Sequence, residues 1–264
     1  MSIYDKRFWT YENLTDPLKN FPTTGITVKL SGGADSSIIY YKLCLELVKY
    51  KIDIPLYVAT LDTDTKDWYS HYAKKVINFT KEKTGIEPVD HRIRKLVSPW
   101  GLDEYQKEQD DVLFDIFREG LANVYYGGLT KNPSPKQQAK SASTVEGITI
   151  NYKDSLELCD SSSDLDRRTN NNKLAIGYGK PDHVDVPLFL GMMPFVHKDK
   201  KEGTASMYEE LDITDELLPL TYSCEESRSS EKTKLSVVDG YQEHTHCGRC
   251  WFCLERAYAF GRLV

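Results

Sequence analysis

Residues 26–48 read Ile-Thr-Val-Lys-Leu-Ser-Gly-Gly-Ala-Asp-Ser-Ser-Ile-Ile-Tyr-Tyr-Lys-Leu-Cys-Leu-Glu-Leu-Val, and this stretch decides the fold. Ile26, Val28 and Leu30 alternate with polar neighbours as a short strand does. Ile39, Leu43 and Leu47, flanked by Tyr40, Cys44 and Val48, recur at helical spacing and give the following helix a wide apolar face. Ser31-Gly32-Gly33-Ala34-Asp35-Ser36-Ser37 joins the two, so the first turn of the helix points into a glycine loop. Such a turn carries unpaired backbone N–H groups and the positive end of the peptide dipoles, which together stabilise an anion. Gly32 and Gly33 tolerate positive φ and close approach of a ligand, and Ser31, Ser36 and Ser37 add hydroxyl donors. Phosphate is the expected guest. The loop has no lysine, which separates it from the nucleoside-triphosphatase P-loop. A plain tight turn with Asp35 or a serine as N-cap explains the helix start but not two glycines and three hydroxyls together.

Further strand and helix patterns alternate downstream. Leu56–Leu61 reads as a second strand, Asp62-Thr63-Asp64-Thr65 as a polar turn that caps the next helix, and Tyr69–Lys83 as that helix. Ile86–Arg92 reads as a third strand, about 103–120 as a helix with Val112, Leu113, Ile116 and Phe117 inward, and Asn123–Gly128 as a fourth strand ending on two glycines. The rhythm predicts an α/β fold: a parallel twisted sheet with helices on both faces, binding ligands beyond the carboxyl ends of its strands. Ser31–Ser37, Asp62 and Gly127-Gly128 all fall there.

Residues 1–24 read as an arm that packs on this body, and about 132–173 as a polar insert, equally a solvated insertion or a lid. Val186–Val196 reads as a buried strand or a strand edge, interrupted by Gly191, followed by His197-Lys198-Asp199-Lys200-Lys201 and a helix from near Thr204 to Leu211. A lysine placed there, Lys200 above all, lies close to the bound phosphates and can neutralise a departing pyrophosphate. Solvated lysines before a surface helix are the competing reading.

The 264 residues suffice for one large domain spanning 1–264. A net charge of −6 with signs mixed along the chain does not advertise a polynucleotide-binding surface. The N-terminus lacks the basic and apolar regions of a leader, and no run approaches the about 18 apolar residues of a membrane span, so a cytoplasmic protein is expected. A homodimer is left open.

Three of the six cysteines fall in Cys247-Gly248-Arg249-Cys250-Trp251-Phe252-Cys253, with Cys224 upstream. Four thiolates at such short spacings suit tetrahedral zinc in a closed, structural site at about 218–264, and an iron–sulfur cluster is the rival. His244 and His246 are spare ligands, Cys44 a helix-face residue and Cys159 a loop residue.

The loop Ser31–Ser36 resembles the pyrophosphate loop of the N-type ATP pyrophosphatases, a superfamily that includes NAD, asparagine and GMP synthetases and tRNA-thiolating enzymes. Joined to the late Cys224…Cys247-x-x-Cys250-x-x-Cys253, to Asp62, to Pro194…Lys200 and to Leu218-Pro219-Leu220-Thr221-Tyr222-Ser223, it resembles the 7-cyano-7-deazaguanine synthase family over about a third of the chain. The resemblance implies ATP at Ser31, Gly32, Gly33, Asp35, Ser36, Ser37 and Asp62, and Mg²⁺ bridging its phosphates with help from Asp35. It implies zinc on the four cysteines, and a 7-deazaguanine carboxylate and ammonia as substrates, with Asp35, Ser36 and Lys200 in catalytic roles. The sequence departs from the family in its third helix, where Glu108-Gln109-Asp110-Asp111-Val112 stands in place of Gly-Arg-Asn-Thr. It departs again at Thr63-Asp64-Thr65 and after the fourth strand at Leu129-Thr130-Lys131-Asn132-Pro133. Another acceptor, as in tRNA-base thiolation or amide formation, and a nucleotide-binding module without turnover are the alternatives.

Overall fold

The structure, a computed structural model, describes residues 13–64, 67–99, 101–130, 133, 142–148, 189–195, 198–224, 234–238 and 241–263. Five parallel strands form one sheet: β1 (Ile26–Lys29), β2 (Leu56–Thr63), β3 (Asp90–Leu96), β4 (Val124–Tyr126) and β5 (Leu190–Met192), in the order β3-β2-β1-β4-β5. The chain winds outward through β2 and β3 on one side of β1 and through β4 and β5 on the other. The reversal between β1 and β4 is a topological switch point, where open α/β sheets leave a crevice at the carboxyl ends of their strands.

Strand alternation sorts the core into two layers. Ile26, Val28 and Leu30 of the first strand segment, with Leu56 and Val58 of β2, face α1 (Ala34–Tyr50) and α2 (Tyr69–Thr84). Tyr57, Ala59 and Tyr125 face the opposite way, onto Val112, Leu113, Ile116 and Phe117 of α3 (Leu102–Arg118). Helices therefore cover both faces, as the pattern of the sequence requires.

Four boundaries differ from expectation. The third strand begins at Asp90, four residues later than the sequence reading, because it is an edge strand with mixed polar residues that carries little alternation signal, and Pro88 precedes it. The second strand continues through Thr63, so Asp62 belongs to the strand and not to a turn. Gly191 sits inside β5 and does not interrupt it, and β5 is the edge of the sheet among the described strands. The helix after it starts at Lys201 as a π-helical turn, Lys201–Ala205, that runs into α4 (Ser206–Glu210), and the short α5 (Thr214–Leu217) follows.

Of the expected arm, residues 13–24 pack as predicted: Leu14 and Leu18 join the core, and the Thr15 backbone N–H donates to Glu46 Oε2 at 2.9 Å. Residues 1–12 lie outside the described residues, as does most of the polar insert. Its described portion, 142–148, is not solvated throughout. Ala142, Val145 and Ile148 pack on Leu254, Ala257 and Leu263 at the C-terminal helix α6 (Trp251–Phe260).

Gly32 has φ +72°, and a Cβ there would lie 2.4 Å from the Cβ of Tyr72 on α2. Its glycine is required by packing as well as by backbone conformation. Gly85 has φ +75° with open space around it, so Gly85→Ala measures the conformational cost alone, about 1–2 kcal/mol. Gly32→Ala is expected to lose a further ~1–3 kcal/mol from the overlap. Urea unfolding of both variants checks this, and equal losses would contradict the contact.

Candidate active site

Helix α1 begins on Gly33, which has no side chain to cap the first turn. The hydroxyls of Ser36 and Ser37 instead donate to the Gly33 carbonyl, at 3.2 and 2.8 Å, which closes the loop on itself. Ser31 joins this small network through its backbone N–H to Ser36 Oγ, at 3.3 Å. Gly128, just beyond β4, presses onto the same turn: a Cβ there would stand 2.5 Å from the Ser36 nitrogen.

A cleft of about 320 Å³ opens at this point, between the strand ends, the first turn of α1 and helix α3. Ser31, Gly33, Asp35, Ser36, Gly127, Gly128 and Lys200 line it. The sequence-predicted loop and the distant lysine therefore meet. Gly32, Ser37 and Asp62 do not line the cleft. Gly32 packs on α2, and Ser37 is buried with its hydroxyl on the Gly33 carbonyl. Asp62 is buried and its carboxylate receives the backbone N–H of Ser70 at 2.9 Å and the Ser70 hydroxyl at 2.5 Å. It caps the start of α2, the role foreseen for the turn that it opens, and burial pushes its carboxyl above the usual range.

Lys200 Nζ lies 2.8 Å from Asp35 Oδ2 and 3.1 Å from Glu255 Oε2, and both Lys200 and Glu255 are almost wholly buried. The other oxygen of Asp35 accepts from Thr204 Oγ1 at 2.5 Å. Local geometry selects this one lysine from its neighbours. Asp199 accepts the backbone N–H groups of Lys201 and Glu202, each at 2.9 Å, and the Tyr258 hydroxyl, also at 2.9 Å. That cap turns Lys200 inward, while Lys198 and Lys201 remain exposed.

The four predicted cysteines converge. The sulfurs of Cys224, Cys247, Cys250 and Cys253 all lie within 4.8 Å of one another, with 3.8 Å between Cys247 and Cys253 and 3.9 Å between Cys250 and Cys224. A single tetrahedral ion bonded to sulfur at ~2.3 Å sets its ligands ~3.8 Å apart, so the thiols fit one ion. His244 and His246 stand outside this set and place their rings 6.0 and 4.9 Å from the ring of Tyr222. Cys44 is buried on the face of α1, where burial pushes its thiol up to about 12. Cys159 lies outside the described residues.

The cysteine segment touches the Ser31–Ser37 loop directly. The Tyr222 backbone N–H, two residues before Cys224, donates to the Gly32 carbonyl at 2.9 Å, and Glu255, two residues after Cys253, holds Lys200.

No protein-family model and no curated protein sequence matches this chain. Among solved structures it is similar to the U34-tRNA thiolase NcsA from Methanococcus maripaludis with its [4Fe-4S] cluster, at 16% identity and a TM-score of 0.39. The alignment covers 78% of this chain and 61% of that one. A likeness this distant assigns no residue and no chemistry to the cleft.

Several cleft residues escaped the sequence reading, and four of them bear charges or hydrogen bonds that shape the site. Lys29 and Asp110 line its α3 side, and Glu255 closes it from the C-terminal helix. Their signal in the sequence was weak: Lys29 is a single charge in a strand, Asp110 one acid among several on α3, and Glu255 part of a charged pair with Arg256 in a helix that otherwise reads as structure. Thr60 is the fourth. Its hydroxyl donates to the Leu30 carbonyl at 2.6 Å and sits 2.8 Å from His91 Nε2 on β3. With the hydroxyl proton spent, the imidazole must donate, which fixes the Nε2–H tautomer.

Burial pushes the His91 pKa down to about 4. The unfolded chain takes up a proton on this ring near pH ~6.5. Stability from this residue is therefore complete above that pH and is lost as pH falls toward about 4. Urea midpoints are expected to drop more between pH 7 and pH 5 for the wild type than for His91→Gln, and parallel drops would contradict the assignment.

Proposed function

We propose that this chain is an N-type ATP pyrophosphatase acting as an ATP-dependent carbon–nitrogen ligase. It converts 7-carboxy-7-deazaguanine and ammonia to 7-cyano-7-deazaguanine through an adenylated carboxylate. The ATP half of this reading rests on one arrangement: a glycine-capped first turn of a 17-residue helix facing a cleft, with a buried lysine 2.8 Å from Asp35 in that turn. Backbone N–H groups and hydroxyls of Ser31–Ser36 receive the β- and γ-phosphates. At the loop end of the cleft one lysine, Lys200, stands against two carboxylates, Asp35 and Glu255. That balance repels a naked triphosphate, so the nucleotide enters with a divalent cation, Mg²⁺. Asp35 accepts from Lys200 on one oxygen and from Thr204 on the other, and each oxygen keeps a second lone pair for the cation.

The chemistry follows from this placement. An oxygen of the substrate carboxylate attacks the α-phosphorus, the bridging bond to the β-phosphate breaks, and Lys200 offsets the charge that gathers on pyrophosphate. Ammonia then attacks the acyl carbon, AMP leaves with the carboxylate oxygen, and an amide results. A second ATP activates the amide oxygen, which departs with AMP as nitrogen loses its protons to give the nitrile. The chain contributes positioning and fixed charge.

Cys224, Cys247, Cys250 and Cys253 hold zinc in this reading, with no open position and so a structural role. Support comes from the 3.8–3.9 Å sulfur separations, which suit one ion better than the wider cage of a multi-iron cluster. tRNA-base thiolation gains nothing from that spacing.

The purified chain incubated with ATP, Mg²⁺, ammonium and 7-carboxy-7-deazaguanine is expected to release AMP and yield the nitrile, read by mass spectrometry. Ser36→Ala should lower AMP release by about 10²-fold. AMP without nitrile would move the acceptor elsewhere in the superfamily, and no AMP with any carboxylate would leave a binding module without turnover.

A further inference from the structure

The α3 side of the cleft carries a charge pair that the phosphate chemistry leaves unused. Lys29, the last residue of β1, points its side chain toward α3, and its Nζ stands 3.6 Å from Asp110 Oδ1. That separation exceeds a hydrogen bond. The other acids nearby on the helix are better matched. Glu108 takes Arg94 at 3.0 Å, Asp111 takes Lys107 at 2.7 Å, and Asp115 takes Arg118 at 2.8 Å. Only the pair inside the cleft is left loose, among these four acids.

Both members are mostly buried, at 25% and 20% side-chain exposure. Burial pushes the Lys29 ammonium down and the Asp110 carboxyl up from their ordinary values. Around them Ala59, Leu61, Leu113 and Tyr125 supply apolar walls. One donor and one acceptor held apart among apolar side chains are completed by a planar ring that brings the complementary groups.

We propose that Lys29 and Asp110 read the edge of a guanine-type base: the Asp110 carboxylate accepts the ring N–H and the exocyclic amine, and the Lys29 ammonium donates to the ring carbonyl. The choice between bases follows from the carboxylate. A guanine-type edge presents two adjacent N–H donors, one for each oxygen, whereas an adenine-type edge presents one N–H beside a ring nitrogen lone pair that repels the second oxygen. The inference rests on the proposed substrate, and it assigns the acceptor's base, not that of ATP, to the α3 side.

Calorimetric titration of the full chain tests it with three probes: 7-carboxy-7-deazaguanine, its 7-deazaadenine counterpart, and a non-hydrolysable ATP analogue. The guanine-type carboxylate is expected to bind at least ~10-fold tighter than the adenine-type one. Asp110→Asn should weaken it by about 10–100-fold while leaving the ATP analogue within about twofold, because a charge-assisted pair is lost on one ligand only. Lys29→Met should show the same selectivity, and serves alone if Asp110→Asn does not fold. Unchanged binding of the guanine-type probe in a folded variant overturns the assignment, as does an equal loss for the ATP analogue, which would make the pair a reader of ATP. Absence of ATP-analogue binding in the wild type would instead strike the nucleotide reading, and leaves the base-binding arm to be judged on its own.

Discussion

Lys200 sits between two carboxylates drawn from opposite ends of the chain, Asp35 on α1 and Glu255 on α6, and the cleft depends on that bridge. A lysine so fully removed from water is tolerated only while both acids remain beside it. The bridge fixes three things at once: the first turn of α1, the π-helical turn at Lys201–Ala205, and the C-terminal helix with its cysteines. Removing one partner would strand a buried charge, so these segments are constrained to assemble together.

The cysteine segment strengthens the same joint. Arg256, fully buried on α6, donates to the Leu218 carbonyl at 2.7 Å and to Thr221 Oγ1 at 2.9 Å, which holds the strip 218–224 against the helix. That strip supplies both Cys224 and the Tyr222 N–H bond to Gly32. Tyr222 also stacks on Tyr72 with ring centres 5.0 Å apart, so α2, the loop and the cysteine cluster share one aromatic contact. A metal closing the four thiols would brace the Ser31–Ser37 loop from behind without reaching into the cleft.

Much of this was legible in the sequence, for physical reasons that can be named. Apolar alternation at Ile26–Leu30 and the helical spacing after it specified β1 and α1, since both elements are buried and hydrophobic pattern is strongest there. Edge strand β3, mostly polar, was displaced by four residues for the opposite reason. The cysteine spacing foretold the convergence of four sulfurs, because metal ligands carry information in their separation. Lys200 was legible as a position but not as an ion bridge, because Glu255 lies 55 residues away and only tertiary packing joins them. Asp62 carried two readings: it serves as the helix cap that the turn reading gave it, while its carboxylate does not line the cleft. Lys29 and Asp110 could be paired only once the sheet and α3 were stacked.

Soaking crystals with a non-hydrolysable ATP analogue and Mg²⁺ tests the central claim most directly. The account predicts β- and γ-phosphates against the backbone of Ser31–Ser36, with Lys200 Nζ in contact with a phosphate oxygen. A nucleotide bound anywhere else, with the loop closed and the Asp35–Lys200–Glu255 bridge facing only protein, would contradict it.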